Sequence, residues 1–178
     1  QSQAIICYGD KLTHFTDFVR QLHMESLGKK TKIDGSPVNV NTGNVIWGGS
    51  GSDGQHSYFQ LLHQGSYTIP IDFIVDAGVS DDQMDTYSLA NCLAQSESLM
   101  AGMQEADPER SIDGDKPNNV ILVNKLSPQS IGQLVSLYEH KVFVQSVIYG
   151  INAFDQYGVE LGKKIAQSLS KVISKSSR

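Results

Sequence analysis

Cysteine, tryptophan and proline are scarce in this sequence, which has two, one and five of them among 178 residues. Cys7 and Cys92 lie far apart, and neither belongs to a C-x-x-C pair. This spacing excludes a zinc knuckle and a disulfide framework as the organising feature of the chain. We expect two buried free thiols in a reducing cytosol.

Positive charge is also in short supply. Fourteen Lys and Arg face 19 Asp and Glu, for a net charge of −5, which is the wrong sign for a protein that binds a phosphate backbone. No apolar run approaches the roughly 18 residues of a membrane helix, and the first residues lack the pattern of a signal peptide. We therefore expect a cytoplasmic protein with no nucleic-acid partner and no membrane partner.

The length favours a single domain over residues 1–178, because a chain of this size buries enough surface for one core. The sequence has no initiator Met and opens on the apolar run Ala4–Cys7 without a polar lead. We expect a fragment whose amino-terminal partner is missing.

Apolar periodicity and turn residues predict alternating helices and strands. Helices are expected at 11–26, 55–63, 83–106, 127–149 and from about 155 onward, and short strands at 45–47, 68–75 and 120–123. The strands at 68–75 and 120–123 are expected to be buried, and the helical tail 165–178 is expected to fray. Strands alternating with helices predict an α/β, three-layer sandwich with a mainly parallel sheet flanked by helices.

A glycine-rich stretch follows the predicted strand at 45–47 and contains Gly49-x-Gly51-x-x-Gly54. Between a strand and a helix, this spacing is typical of a dinucleotide site, with Asp72 as a downstream acidic residue. The same loop would serve any phosphate or anionic group at a helix amino terminus. A turn that needs glycine only for its geometry is the third interpretation.

The segment 146–164, SVIYGINAFDQYGVELGKK, closely resembles the carboxyl-terminal signature of the phosphoglucose isomerase family. Further blocks resemble the same family in the same order: Met24–Ser26, Val45–Gly48, Gly54–Gly65 and Tyr138–Gln145. Leu22 and His23 stand where many members have Gly-Asp. The resemblance implies a sugar-isomerase (SIS) fold. It also implies an aldose-ketose isomerase of carbohydrate metabolism that interconverts glucose 6-phosphate and fructose 6-phosphate without a cofactor.

The resemblance also implies a role for each matching residue. Glu25 would be the base that moves a proton between C1 and C2 through a cis-enediol. His56 would help to open the sugar ring, with Lys163 assisting at the ring oxygen, while Gln21 and Gln156 would bind substrate or position water. Family members are homodimers in which the histidine reaches into the partner's active site, so His56 is expected to serve the other subunit.

Local chemistry can be compared with these roles. Gln21 and Glu25 are four residues apart and share a helix face, and the negative end of the helix dipole disfavours a carboxylate at Glu25. His56 is expected in the first turn of its helix, where the dipole favours a neutral imidazole. Gln156 and Lys163, seven apart, are expected on one face of the last helix.

Simpler interpretations exist for several of these residues. On the residues alone, Glu25 is a solvated helix-end carboxylate, and Lys163 is half of a surface pair with Glu160. His63 and His140 are expected to be structural, because no nearby ligand spacing makes either a metal ligand. His14 and His23 are expected to be exposed.

The chain lacks two features that the family uses: a Ser/Thr-rich loop for the sugar phosphate and a Gly-Gly-Arg block near the reacting carbons. The fragment alone is therefore expected to be inactive. Two alternative functions remain at this stage. One is a noncatalytic, regulatory sugar-phosphate-binding module, and the other is a dinucleotide-binding domain.

Overall fold

The computed structural model describes residues 2–78 and 83–176. The strands are β1 (Ser2–Tyr8), β2 (Val45–Ser50), β3 (Ile71–Asp76) and β4 (Asn118–Val123). The helices are α1 (Phe15–Leu27), α2 (Gly51–Gln55), α3 (Phe59–Gln64), α4 (Gln83–Ala101), α5 (Pro128–Tyr149) and α6 (Glu160–Ser176). Short 3₁₀ turns occupy Asp10–Leu12, Pro108–Arg110 and Tyr157–Val159.

The four strands form one parallel sheet in the order β2-β1-β3-β4. Side chains alternate between its two faces, as the period of a strand requires. Ile5 and Ile74 pack with α1 and α5 on one face, whereas Ile6 and Phe73 pack with α3 and α4 on the other. The predicted three-layer α/β sandwich is confirmed.

The sheet differs from the prediction at its first strand and at its last strand. β1 was not predicted, yet it is central and its residues Ala4–Ile6 are fully buried. β4 was expected to be buried, which is wrong, because it is an edge strand whose Leu122 is 56% exposed. The strand predicted at 68–75 is β3, and its burial on both faces is confirmed.

Two predicted helices are shorter than expected. The helix predicted at 55–63 is interrupted, since α2 ends before His56 and α3 begins only at Phe59. The helix predicted at 83–106 ends at Ala101, because Gly102 adopts a left-handed backbone conformation (φ 66°) that stops it.

Helix α5 begins and ends as its sequence predicts. The Ser127 hydroxyl accepts a hydrogen bond from the Ser130 amide, the Ser130 hydroxyl accepts one from the Ser127 amide, and Pro128 takes the first helical position. Gly150 ends the helix in the left-handed conformation. The well-defined end of α5 fixes the direction in which the following segment leaves the helix.

Helix α6 extends from the 3₁₀ turn at 157–159 and keeps an exposed apolar stripe. Leu161, Ile165 and Leu169 are each at least half exposed. Residues 165–176 of the predicted tail are helical, and residues 177–178 lie outside the described residues.

Both thiols are buried and free, as predicted. Burial raises the pKa of Cys7 to about 11 and that of Cys92 to about 12. Among the helices of residues 2–78 and 83–176, none has the length and apolar character to cross a membrane.

Candidate active site

A cavity of about 340 Å³ lies between the end of α1 and the segment that follows α5. Its lining residues are Phe18, Gln21, Leu22, Glu25, Ser26, Phe154, Asp155 and Gln156. Three of the five predicted site residues, Gln21, Glu25 and Gln156, therefore meet at one opening although 131 residues separate the last two in sequence.

Helix α1 places Gln21 and Glu25 on the same face because residues four apart lie one turn above each other. The opposite face of the helix is anchored in the core through Val19 and Leu27, which are 2% and 0% exposed. Leu27 also packs with Val142 and Ile151, so α1, α5 and the segment after α5 share one apolar cluster below the cavity. Gln21 and Glu25 are thus exposed on a helix whose other face is held in the core.

The second wall of the cavity is the segment 150–156. Ile151 is buried, and the Ile33 amide donates a hydrogen bond to the Gly150 carbonyl (2.8 Å). Phe154 adopts a left-handed conformation (φ 62°) that a non-glycine residue enters only when its surroundings hold it there. This turn directs the chain so that Gln156 lines the cavity opposite α1.

Gln156 does not belong to the last helix. It precedes the 3₁₀ turn, and α6 begins only at Glu160. The prediction that Gln156 and Lys163 share one helical face is therefore wrong, because the seven-residue spacing spans a turn as well as a helix. Lys163 is an exposed residue in the first turn of α6.

Lys29 joins the two walls of the cavity. Its ammonium donates hydrogen bonds to the carbonyls of Glu25 (2.8 Å), Ser26 (2.9 Å) and Asp155 (3.0 Å). It also forms an ion pair with the Asp155 carboxylate, with 3.0 Å between Nζ and Oδ1. A second cavity, of about 300 Å³, shares Glu25, Asp155 and Gln156 with the first. It is also lined by Lys29 and extends the opening toward the 3₁₀ turn.

His56 lies at the other end of the sheet. The end of α1 lies beside the amino end of β2, since the Thr42 hydroxyl donates a hydrogen bond to the Lys29 carbonyl. His56 follows the carboxyl end of β2, one short helix later, and is exposed. A six-residue strand spans roughly 20 Å, so one copy of the chain does not bring Glu25 and His56 together.

The expected environment of His56 is also wrong. The residue ends α2 and does not begin a helix. The dipole argument, which assumed a position in the first turn of a helix, therefore does not apply to it.

The buried Asp72 carboxylate is the centre of a hydrogen-bond network that the sequence did not predict. Its oxygens accept hydrogen bonds from the side chains of Gln3 (2.9 Å), Asn119 (2.9 Å), Tyr138 (3.2 Å) and Lys141 (3.2 Å). Burial, reinforced by the Asp72 charge, raises the pKa of Tyr138 well above its ordinary value. Asp72 is the second residue of β3 and is fully engaged, so it does not offer a carboxylate to a ribose at the carboxyl end of a strand.

The glycine-rich stretch has a structural explanation in the same region. Gly48 has a φ of 118°, and a Cβ there would lie 2.2 Å from the Ile5 carbonyl oxygen of the neighbouring strand. A Cβ on Gly51 would meet the ring of Tyr8, and one on Gly54 the ring of Tyr58. The three glycines therefore allow Ile5, Tyr8 and Tyr58 to pack closely against β2 and the short helix α2 that follows it. β2 is an edge strand of the sheet.

The histidines outside the site have mixed outcomes. His14 is exposed as predicted, with 92% of its side chain accessible. His23 was expected to be exposed and is 3% exposed, and its burial together with the nearby charge of Lys141 lowers its pKa to about 4. His63 contacts Gln95 (2.8 Å) and His140 contacts the Ser136 carbonyl (2.7 Å). In the part of the chain that the structure describes, no group of three or more His, Cys, Asp or Glu could hold a metal ion.

Comparison with known proteins connects this geometry to a family. The sequence model of phosphoglucose isomerase matches residues 1–178. The chain belongs to the phosphoglucose isomerase family. It is 49% identical over 170 residues to the glucose-6-phosphate isomerase of Xanthomonas axonopodis pv. citri (strain 306), covering 94% of this chain and 34% of that protein. It is 48% identical over 170 residues to that of Xanthomonas campestris pv. campestris (strain B100), with the same coverage.

Solved structures of related proteins agree with the fold. A glucose-6-phosphate isomerase from Chlamydia trachomatis D/UW-3/Cx superimposes with a TM-score of 0.90 at 36% identity, covering 97% of this chain and 35% of that chain. A hypothetical protein from Thermus thermophilus has a TM-score of 0.72 at 22% identity, over 94% of this chain and 40% of that chain, and supports the fold alone. The chain spans about a third of the length of the curated isomerases that it matches. Membership in the phosphoglucose isomerase family and the packing role of the glycines together leave the dinucleotide interpretation without support.

Proposed function

We propose that this chain is the carboxyl-terminal, base-bearing portion of an aldose-ketose isomerase that interconverts glucose 6-phosphate and fructose 6-phosphate. Its family membership supports the proposal. The observation that carries it is the meeting of Gln21, Glu25 and Gln156 at one cavity.

Glu25 is the proposed proton carrier between C1 and C2 of the open-chain sugar. An exposed carboxylate at a helix end can take a proton from one carbon and return it to the neighbouring carbon, provided that the sugar is held against it. Gln21 and Gln156 supply amide donors and acceptors on the two walls, and we assign them to the sugar hydroxyls. The apolar side chains of Phe18 and Leu22 line the same cavity and are suited to excluding water.

Ring opening is assigned to His56, with Lys163 at the ring oxygen. An imidazole can accept a hydroxyl proton near neutral pH, and an ammonium can stabilise negative charge developing on an oxygen. His56 lies at the opposite end of the sheet from Glu25. We therefore assign it to the site of a second subunit.

A homodimer is the partner state that we propose. Large apolar side chains remain exposed on α5 and α6: Phe143, Val147, Ile148, Leu161, Ile165 and Leu169. Large apolar side chains exposed on a helix are typical of surfaces that contact another protein. Exchange of His56 between two such subunits would complete each site.

We also propose that the chain acts only as part of a longer cytoplasmic protein. The sequence contains no Ser/Thr-rich loop of the kind that the resemblance implies for the sugar phosphate. We therefore assign the binding of the phosphate to residues outside 1–178. Two free cysteines without a disulfide support a reducing compartment.

The decisive experiment is Glu25→Gln in the complete natural protein. Glutamine keeps the size and hydrogen-bonding capacity of the side chain but cannot take a proton. We expect kcat to fall by about 10²–10⁴-fold, measured by coupling glucose 6-phosphate formation to a dehydrogenase. Binding of the substrate, measured by calorimetry, should be nearly unchanged.

Glu97→Gln is the matched control, since Glu97 is an exposed glutamate on α4 away from the cavity, and it should keep wild-type turnover. Unchanged turnover in Glu25→Gln would remove Glu25 from the mechanism. A natural protein that binds the sugar phosphate but does not isomerise it would instead be the regulatory module.

A further inference from the structure

One cation, Lys29, bonds residues on both walls of the cavity and has no assigned role in the reaction. Its side chain and that of Asp155 are each only 19% exposed, so the ion pair is largely withdrawn from water. Pairs of this kind are far less screened than surface pairs. The ion pair with Asp155 therefore restricts the position of the Lys29 ammonium.

The contacts of Lys29 reach both walls of the cavity. Three hydrogen bonds and the ion pair converge on its single nitrogen, which fixes the position of the ammonium. The carbonyls of Glu25 and Ser26 are among the last of α1, which have no partner within the helix and carry its negative dipole end. A cation there satisfies these carbonyls and offsets their charge beside the Glu25 side chain.

On the opposite wall, the same ammonium holds the residue immediately before Gln156. The second carboxylate oxygen of Asp155 accepts a hydrogen bond from the Asn152 amide nitrogen (3.0 Å), which closes the turn containing Phe154. That residue is in the left-handed region, so the turn needs an external tie to persist. Asp155 provides this tie through Lys29.

We propose that Lys29 and Asp155 form a positioning pair that sets the separation between Glu25 and Gln156 across the substrate cavity. This inference rests on the proposed isomerase function. Neither residue is assigned a contact with the reacting carbons, and their effect is carried by the backbone of the two residues that line the cavity. A displacement of about 1 Å between groups that hold a reacting molecule can lower the rate by roughly 10²-fold.

The test is a double-mutant cycle in the complete natural protein with Lys29→Met, Asp155→Asn and the double variant. We expect kcat for hexose-phosphate isomerisation, per folded molecule, to fall about 10- to 100-fold in Lys29→Met, with a smaller change in KM. Adding Asp155→Asn to Lys29→Met should lower kcat by less than about twofold more, because the pair is already broken. Lys29→Arg should recover most of the rate, since it restores a cation at the same place.

Lys30→Met is the matched control, because Lys30 is the adjacent exposed lysine, and it should keep kcat within about twofold. Folded fraction is measured by circular dichroism at the assay temperature, so that lost stability is not counted as lost turnover. A purely structural pair would lower the melting temperature and leave kcat per folded molecule unchanged, and that result would overturn the proposal. Independent, multiplicative effects of the two substitutions would overturn it as well.

The two proposals fail in different ways. Absence of isomerase turnover in the wild-type protein defeats the proposed function. Normal wild-type turnover with an unaffected Lys29→Met variant defeats only the positioning pair.

Discussion

At the scale of single residues, His23 shows how one buried side chain ties stability to pH. Its pKa is lowered to about 4 by burial and by the nearby Lys141, whereas an unfolded histidine titrates near 6.5. The folded protein therefore resists protonation at a site that the unfolded chain protonates readily. Stability from this residue is complete above about pH 6.5 and is lost as the pH falls from there toward 4.

The variant His23→Gln tests this effect, because glutamine does not titrate. Relative to wild type, we expect the variant to lose less unfolding free energy between pH 7 and 4, by up to about 3 kcal/mol, since one pKa unit corresponds to about 1.4 kcal/mol. Urea unfolding across this range measures the difference. His14→Gln, at a side chain that is 92% exposed, should follow the wild-type profile. Parallel wild-type and His23→Gln profiles would contradict the assignment.

The position of His23 could have been read from the sequence. Phe15, Val19, His23 and Leu27 recur at four-residue steps and are all buried, so the histidine occupies the apolar face of α1. Gln21 and Glu25 follow the same spacing on the exposed face, and their proximity was predicted correctly. Lys29 carried only a weak signal as a cation just beyond a helix end, and its partner Asp155 is 126 residues away.

At the scale of elements, the edge strand β2 depends on glycine where it contacts β1. Gly48 combines a φ of 118° with a backbone approach that leaves no room for a Cβ. Gly48→Ala should therefore destabilise the protein by about 3 kcal/mol, from backbone strain and from overlap with the Ile5 carbonyl. Thermal or denaturant unfolding measures this loss.

Gly132→Ala is the opposite case, since a Cβ at this position in α5 meets nothing within 4 Å. Alanine there should stabilise the protein by about 0.5–1 kcal/mol, because it favours the helix. If Gly48→Ala were as well tolerated as Gly132→Ala, the packing explanation of the glycine-rich stretch would be wrong.

Element boundaries were predicted best where local chemistry is strong. The helix predicted at 127–149 matches α5 closely, because a serine cap followed by proline marks a helix start within a few residues. β1 was overlooked because a short apolar run does not reveal whether it forms a strand. The exposure of β4 could not be predicted, since edge or centre is decided by strand order and not by the strand itself.

At the scale of the whole molecule, the proposed dimer with an exchanged His56 predicts complementation between two inactive variants. In a hybrid dimer of Glu25→Gln with His56→Ala, exchanged histidines leave one site with both native residues and the other with neither. Random mixing makes about half of all dimers hybrids, so the activity should return to about a quarter of the wild-type value. Dissociation, mixing and reassociation of the two proteins, followed by the isomerase assay, measures the return.

Each variant alone, treated in the same way, is the control and should remain inactive. If His56 served the site of its own subunit, every site in a hybrid would lack one residue. Mixing would then restore nothing, and the shared site would be excluded.

The two thiols described with the fold occupy different layers of the molecule. Cys7 lies in the cluster between the sheet and helices α1 and α5, whereas Cys92 lies in the cluster on the opposite face. Both are inert while covered, because burial keeps them protonated. An alkylating reagent therefore reaches each sulfur only when the helices that cover it move away from the sheet. The alkylation rates of Cys7 and Cys92 thus report local unfolding on the two faces of the sheet separately.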